Sequence, residues 1–284
     1  MTELPFKQVD VFTSVPFKGN PVAVVLDGNS LSTEQMQSVA NWTNLSETTF
    51  VCKPTDRQAD YRLRIVTPKS ELPFAGHPTI GSAHAVLESG CKPKTAGRLV
   101  QECGRGLIAL KIDGTRLFLE VPNALIEDIS SSHCAELAEA LGVPENGVRA
   151  RASINVGITW LTLQLADAQT VRRLQPDQAR IRELSRGAVG VTVFGLDEDG
   201  ARQDLEVRSF APAEGIPEDP VCGSGNGCAA VLIRQQRLLV KQPYIAAQGR
   251  CVGRDGRVEV RYESDGTIWL GGQSVTCIEG TLRA

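Results

Sequence analysis

Glu218-Asp-Pro-Val-Cys-Gly-Ser-Gly-Asn-Gly-Cys-Ala-Ala230 is the stretch on which the fold of this chain turns. Gly223, Gly225 and Gly227 fall within five residues, and Cys228, Ala229, Ala230, Val231, Leu232 and Ile233 follow. Small residues that give way to apolar ones read as a sharp turn feeding a helix narrow enough to be buried on every side. The first N–H groups of a helix have no partner inside it, so the amides of residues 223 to 227 are free to meet an anion. The helix dipole adds to that attraction, and a carboxylate or phosphate suits the site. Asp219 and Ser224 stand beside the turn.

The same layout occurs earlier, in Glu71-Leu-Pro-Phe-Ala-Gly-His-Pro-Thr-Ile-Gly-Ser-Ala-His-Ala-Val86. Glu71, Pro73, Gly76 and Ala83 fall under Glu218, Pro220, Gly223 and Ala230 at a constant offset of 147. Upstream, Leu63-Arg-Ile-Val-Thr-Pro68 matches Val207-Arg-Ser-Phe-Ala-Pro212 at 144, and Thr48-Thr-Phe50 matches Thr192-Val-Phe194 at the same offset. Gly19-Asn-Pro-Val-Ala-Val24 faces Gly157-Ile-Thr-Trp-Leu-Thr162 at 138. Offsets that drift in steps while the order of elements is kept are what loop insertions produce. The chain reads as an internal duplication about one domain long. The framework residues match across the copies, whereas the ionisable ones do not. Glu47 falls on Val191, Asp219 on Leu72, His77 on Ser224 and Cys222 on Ala75. A duplicated scaffold with one mixed site at its seam is the simplest reading.

At 284 residues the chain is long enough for about two domains of ~150. Its 42% hydrophobic and 22% charged content is ordinary for a globular protein. A net charge of −3, with no basic stripe, argues against nucleic acid or an anionic membrane as partner. The N-terminus lacks the order of a signal peptide, and no apolar run approaches the ~20 residues needed to span a bilayer. The eight cysteines are scattered without a C-x-x-C pair, which suits reduced thiols in a cytoplasm. Three histidines, none at ligand spacing from a cysteine pair, argue against zinc, and no metal is expected.

Strands are expected at 7–13 and 21–26, and a helix at 33–42, where Ser32 and Gln35 form a capping box. A strand follows Glu47, another spans 61–67, and the first glycine turn feeds a helix through Ser89. Strands near 98–103, 106–112 and 116–121 complete a first half, 1–122. The second half, 123–284, has a helix at 133–141, strands at 152–165, a helix pair over 168–185 broken at Pro176, and strands at 188–195 and 204–210. The second glycine turn and a β meander over 242–284 complete it, with its last strands free to cross back to the first half. Each half thus supplies many strands and one small-residue helix, which is buried only if a strongly curved sheet wraps it. The expected class is α+β, with two sheets each closing round its own central helix.

Four motifs now point to a family. Gly19-Asn-Pro-Val-Ala-Val24, Asn44-Leu-Ser-Glu-Thr48, Phe74-Ala-Gly-His-Pro-Thr79 and Asp219-Pro-Val-Cys-Gly-Ser-Gly225 resemble those of the PhzF-like phenazine-biosynthesis family, in order and across essentially the whole chain. The resemblance implies the diaminopimelate epimerase-like fold: two pseudo-symmetric halves, each a rolled, mostly antiparallel sheet round a central helix, with the active site between them. It further implies a homodimer without a cofactor, and an isomerase that moves a proton with Glu47 as acid/base, supported by His77, Asp219 and Ser224. It assigns the amides of Gly76 and Gly223 to a substrate carboxylate. Relatives that work with two thiols carry one at each helix start; here Cys222 holds the second position and Ala75 the first, so that chemistry is not available.

Read from the residues alone, Glu47 stands at the mouth of a strand with no ionisable twin, and acid/base work requires its carboxyl to titrate near neutrality. His77 lies between Gly76 and Pro78 at a helix start, a place suited to substrate contact or proton relay. Asp219 before Pro220 is a turn-former or a catalytic carboxyl. Ser224 caps the helix, contacts substrate, or does both. Asn20 is a turn residue or a substrate contact. Cys222 is a reactive thiol at a helix N-terminus or a small core residue. His84 reads as structural and His133 as a surface residue. Taken with the resemblance, they point to a cofactor-independent isomerase acting on a small carboxylic acid. A one-base racemase or epimerase of an amino or hydroxy acid, and a non-catalytic binding or interaction protein, are the alternatives.

Overall fold

The computed structural model describes residues 2–197, 203–238 and 242–284, which contain eighteen strands and six α-helices. In chain order these begin with β1 (Glu3–Val11), β2 (Asn20–Val25), α1 (Thr33–Thr43), β3 (Thr48–Cys52), β4 (Tyr61–Val66), β5 (Glu71–Leu72), α2 (Gly76–Glu88), β6 (Arg98–Cys103), β7 (Gly106–Asp113) and β8 (Arg116–Glu120). They continue with β9 (Leu125–Glu127), α3 (Ser131–Leu141), β10 (Val148–Asn155), β11 (Thr159–Leu165), α4 (Ala168–Arg173), α5 (Gln178–Leu184), β12 (Gly190–Leu196), β13 (Leu205–Ala211) and β14 (Ile216–Asp219). Last come α6 (Gly223–Gln236), β15 (Tyr244–Gln248), β16 (Gly256–Tyr262), β17 (Ile268–Gly272) and β18 (Ser274–Arg283). The chain divides into one unit that runs to Glu120 and regains Gly271–Ala284, and a second unit over Val121–Leu270. No described helix is long and apolar enough to cross a membrane.

Pairing for pairing, the two units are built alike. In the first, β1–β2 is antiparallel, β2–β3 parallel, β3–β4 and β4–β5 antiparallel, β4–β6 parallel and β6–β7 antiparallel. In the second, β10–β11, β11–β12, β12–β13, β13–β14, β13–β15 and β15–β16 repeat that series in the same senses. Beyond the series, β18 adds to β1 in the first unit and β9 to β10 in the second.

In each unit the strands pack round one helix, as the small-residue runs required. Nine of the thirteen residues of α2 are buried, and it packs on β1, β2, β3, β4, β6, β8 and β18. Nine of the fourteen residues of α6 are buried, and it packs on β10, β11, β12 and β16. Gly81 shows why the helix stays narrow: a Cβ there would lie 2.4 Å from a methyl of Val22. Outside the sheets sit the amphipathic helices. The Ser32–Gln35 capping box forms at the start of α1, which buries Met36 and Ala40 with Leu4, Val25 and Phe50. In the second unit Leu137, Leu141, Val171 and Ile181 do the same against Leu163, Val193 and Phe210. Each such aliphatic side chain contributes roughly 1.5–3 kcal/mol on burial.

A doubled ion pair ties each sheet to its glycine turn. Arg64 donates Nε and Nη2 to the two carboxylate oxygens of Glu71 at 2.8 and 2.5 Å, and Arg208 does so to Glu218 at 3.0 and 2.7 Å. Both forks are bidentate, the geometry in which an arginine fixes a carboxylate most firmly.

The register corrects one detail of the duplication. Ala23 pairs with Thr48, and Leu161, its equivalent, pairs with Val191. On the other edge Thr49 pairs with Ile65, and Thr192 pairs with Ser209. Both neighbours therefore place Thr49, not Thr48, over Thr192, and the counterpart of Glu47 is Gly190 rather than Val191. Two short Thr-x-Phe matches are too degenerate to fix a strand to one residue; the hydrogen-bonded ladder does fix it. Gly190 has no room for any side chain, since a Cβ would sit 2.0 Å from the carbonyl oxygen of Phe210.

Candidate functional site

In the first unit, Asn20, Glu47, Gly76 and His77 come from four separate places in the chain. Asn20 opens β2 and is buried opposite Val11; Gly19 before it has to be glycine, because a Cβ would lie 2.2 Å from the Val11 carbonyl oxygen. Glu47 ends the connection from α1 and precedes β3 by one residue. His77 is the second residue of α2. Its Nε2 stands 3.4 Å from Glu47 Oε2, with both side chains largely buried. The structure brings these two together as the sequence reading expects.

Burial drives the His77 imidazole down to about 3, against a weaker upward pull from the Pro21 carbonyl that accepts from the ring. His77 is therefore neutral at ordinary pH. A neutral imidazole has one N–H and one lone pair. With Nε2 facing Glu47 at 3.4 Å and without a hydrogen-bond partner among the described residues, Nδ1 is the nitrogen that donates to Pro21. The Nε2 lone pair then faces the carboxyl, an arrangement able to accept from Glu47 in its protonated form and to return that proton.

The start of α2 has no side-chain cap at Ala75. The first helical bond runs from the Thr79 amide to the Ala75 carbonyl at 3.3 Å. Pro78 has no N–H, so two amides remain, those of Gly76 and His77, and neither has an acceptor among the described residues. Open space lies where a Gly76 side chain would be.

The second unit presents Asp219, Cys222, Gly223 and Ser224 on the equivalent turn. Asp219 ends β14 opposite Ser209 and accepts the Val221 amide on Oδ1 at 3.0 Å. Desolvation pushes its carboxyl up to about 6, opposed by the Val221 amide and by the Cys222 side chain. Cys222 is the N-cap of α6, and its sulfur accepts the Gly225 amide at 3.2 Å. Burial first, and then the neighbouring charge of Asp219, push the thiol far above its ordinary value, so it stays protonated and donates towards Asp219. Of the first amides of α6, Gly225 goes to the thiol and Asn226 to the Cys222 carbonyl at 3.0 Å. Those of Gly223 and Ser224 have no acceptor among the described residues.

Three further residues support this turn, and the sequence reading missed them. Trp160 donates Nε1 to Ser224 Oγ at 2.9 Å, which frees the hydroxyl proton to point elsewhere. Asn226, a buried polar residue inside a run of small ones, was the one visible signal; its Nδ2 donates to the Cys222 carbonyl at 2.9 Å. Gln248 bonds the turn from β15 and carries no mark in the sequence. His84 lies on α2, 4.0 Å from Glu88, and His133 is the third residue of α3, its amide taken by the Ser130 cap. All eight cysteines are free, and no cluster of metal-ligating side chains occurs among the described residues.

Comparison with known proteins agrees with this architecture. The sequence pattern of the phenazine biosynthesis-like proteins (PhzC–PhzF) matches residues 9–280. The chain is 43% identical over 296 residues to the protein called antisense-enhancing sequence 1 of Schizosaccharomyces pombe, covering 99% of each. It is 33% identical to the trans-2,3-dihydro-3-hydroxyanthranilate isomerase of Pseudomonas fluorescens, covering 96% of this chain and 97% of that enzyme. The crystal structure of a PhzF-family protein from Bacillus anthracis superposes with a TM-score of 0.87 at 23% identity over 100% of both chains, which shows a common fold. The chain therefore belongs to the phenazine biosynthesis-like family of isomerases.

Proposed function

We propose that this protein is a cofactor-independent isomerase that moves a proton between two carbons of a small carboxylic acid, with Glu47 as the general acid/base. The observation that carries the proposal is the 3.4 Å approach of Glu47 Oε2 to the buried, neutral His77 at the N-terminus of α2. A carboxyl with a lone pair behind it and a helix N-terminus beside it suits a group that takes a proton from carbon and gives it back. The proton removed is acidic only if the charge left on the substrate is stabilised. We assign that role to the two amides on each turn, Gly76 with His77 and Gly223 with Ser224, acting on the substrate carboxylate. Asp219, which titrates near 6, is the second proton-transfer candidate, and Asn20 and Ser224 orient the substrate.

The neutral, capping Cys222 and an alanine at position 75 speak against two-thiol epimerase chemistry. In our reading Cys222 is a capping residue. The test is solvent exchange. The protein is incubated in deuterium oxide with trans-2,3-dihydro-3-hydroxyanthranilate, the compound named for the Pseudomonas fluorescens relative, and with a panel of small cyclic, amino and hydroxy acids. One acid should gain deuterium at carbon and convert to an isomer. If no acid on that panel is exchanged or converted, while some bind, the non-catalytic alternative is the better one.

A further inference from the structure

We propose that Gln248 is a positioning residue of this site: its side-chain amide clamps the turn from Asp219 to Cys222 and so fixes the aim of the Asp219 carboxyl and of the Gly223 and Ser224 amides. The inference rests on the function proposed above, in which those groups meet the substrate.

Gln248 is the last residue of β15 and is buried. Its parallel pairing with Val207 in β13 brings it beside the turn. Oε1 accepts the Cys222 amide at 3.0 Å and Asn226 Nδ2 at 2.7 Å, while Nε2 donates to the Asp219 carbonyl at 3.1 Å. One planar amide thus joins two backbone groups on either side of Pro220 and Val221. Its orientation is determined, since reversing it would set an NH2 against two donors. Asn226 closes the ring by donating to the Cys222 carbonyl. A buried polar network with each member satisfied holds a single geometry.

The other half shows that the clamp is not needed for the fold. There Gly104 presses on Pro73 much as Gly249 presses on Pro220: added Cβ atoms would lie 2.8 Å from Pro73 Cα and 2.4 Å from the Pro220 oxygen. The close approach is common to both. The pairings of Tyr61 with Gln101 and of Leu205 with Ala246 put Cys103 in the place of Gln248. That turn is instead bonded through backbone, from the Arg105 amide to the Pro73 carbonyl at 3.1 Å. The clamp belongs only to the half that carries Asp219.

The groups that act on the Asp219 carboxyl are the Val221 amide, the Cys222 thiol and Glu218, whose own charge is held by Arg208. Two variants of the full chain test the proposal. Gln248→Glu keeps both acceptor bonds of Oε1 but sets an oxygen against the Asp219 carbonyl, and Gln248→Leu removes all three bonds. The Asp219 carboxyl is followed by carbon-13 NMR titration, with Asp219→Asn to identify the signal. The wild type should titrate near 6 and Gln248→Glu about one unit higher, because a carboxylate is added nearby. With the acid that exchanges in the wild type, both variants should lose roughly ten- to a hundredfold in kcat with a smaller change in KM. An unchanged Asp219 titration in Gln248→Glu, or a normal kcat in Gln248→Leu, overturns the proposal. If Gln248→Leu does not fold, Gln248→Glu decides. If the wild type exchanges no acid, the functional reading fails and the titration still judges the clamp.

Discussion

At the start of α2 the third amide is missing because Pro78 has none; at the start of α6 it exists on Gly225 and is occupied by the sulfur of Cys222. Two unlike residues thus bring both helices to the same state, with two open amides each, at Gly76 and His77 and at Gly223 and Ser224. The comparison explains why Ala75 and Cys222 differ. A residue that caps is needed only where the third amide is present. It also separates what the duplication kept from what it changed. The bidentate Arg–Glu forks, the proline–glycine contacts and the ladder are shared, while Glu47 and Asp219 each occur once.

The largest test of this asymmetry is Glu47→Gln. It keeps the size of the side chain and removes its proton chemistry, so turnover and solvent exchange should fall by roughly 10²–10⁴. Thermal unfolding should stay within a few degrees of the wild type, which circular dichroism will show. Near-normal exchange in this variant would hand the acid/base role to Asp219.

The opposite outcome is expected at the equivalent position of the other half. Gly190→Ala forces a Cβ against the Phe210 carbonyl and should cost about 1–3 kcal/mol in urea unfolding. Glu47→Ala should cost less stability than that, with turnover lowered at least as far as in Glu47→Gln. If Gly190→Ala is as stable as the wild type, crowding against the Phe210 carbonyl is not what keeps a side chain from this position.

Cys222→Ala sharpens the account of the caps. It releases the Gly225 amide and should reduce turnover by no more than about tenfold, equal to ~1.4 kcal/mol. Cys222→Ser, which keeps an acceptor, should lose less than Cys222→Ala. A loss of several orders of magnitude in both would restore the thiol as an acid/base.

A further test lies in the pH dependence of stability, where the halves should slope in opposite directions. The His77 pKa is depressed from 6.5 to about 3 on folding, so its contribution is complete above about 6.5 and is lost as pH falls toward 3. The Asp219 pKa is raised from 3.8 to about 6, so its contribution is complete below 3.8 and is lost as pH rises through 6. Urea unfolding across that window should show a shallower acid-side loss in His77→Gln. In Asp219→Asn the decline towards pH 6 should be smaller. Parallel curves for the two variants would contradict these assignments.

The glycine turns and the two central helices were legible in the sequence because they depend on composition: three glycines, small residues, then apolar ones admit few other structures. Glu47 and His77 stood out because their twins lack ionisable groups. What the sequence could not show was register and remote support. Thr48-Thr-Phe50 matches Thr192-Val-Phe194 equally well by eye at the wrong offset, and only the pairings on both edges move it by one. Trp160 and Gln248 reach Ser224 and Cys222 from strands 64 and 26 residues away, and nothing local marks a buried indole or amide as belonging to a turn. The twofold use of the third amide was hidden for a related reason, since a proline and a cysteine three residues from equivalence share no chemistry until the amides are counted.

The strand β18 has a consequence for the order of synthesis. It pairs along the whole of β1, and Thr2 and Ala284 exchange amide-to-carbonyl bonds at 2.6 and 3.0 Å. The unit over Val121–Leu270 is contiguous, so it is complete in sequence before β18 has been made. The unit with Glu47 is closed only after the other has been made: β1 waits for its second neighbour until Ser274–Arg283 emerges. At roughly 5–20 residues per second, that leaves the first unit an open edge for many seconds during translation. Synthesis of β18 therefore acts as the closing step for the unit that holds Glu47, and removal of Val275–Ala284 should leave β1 without its second neighbour.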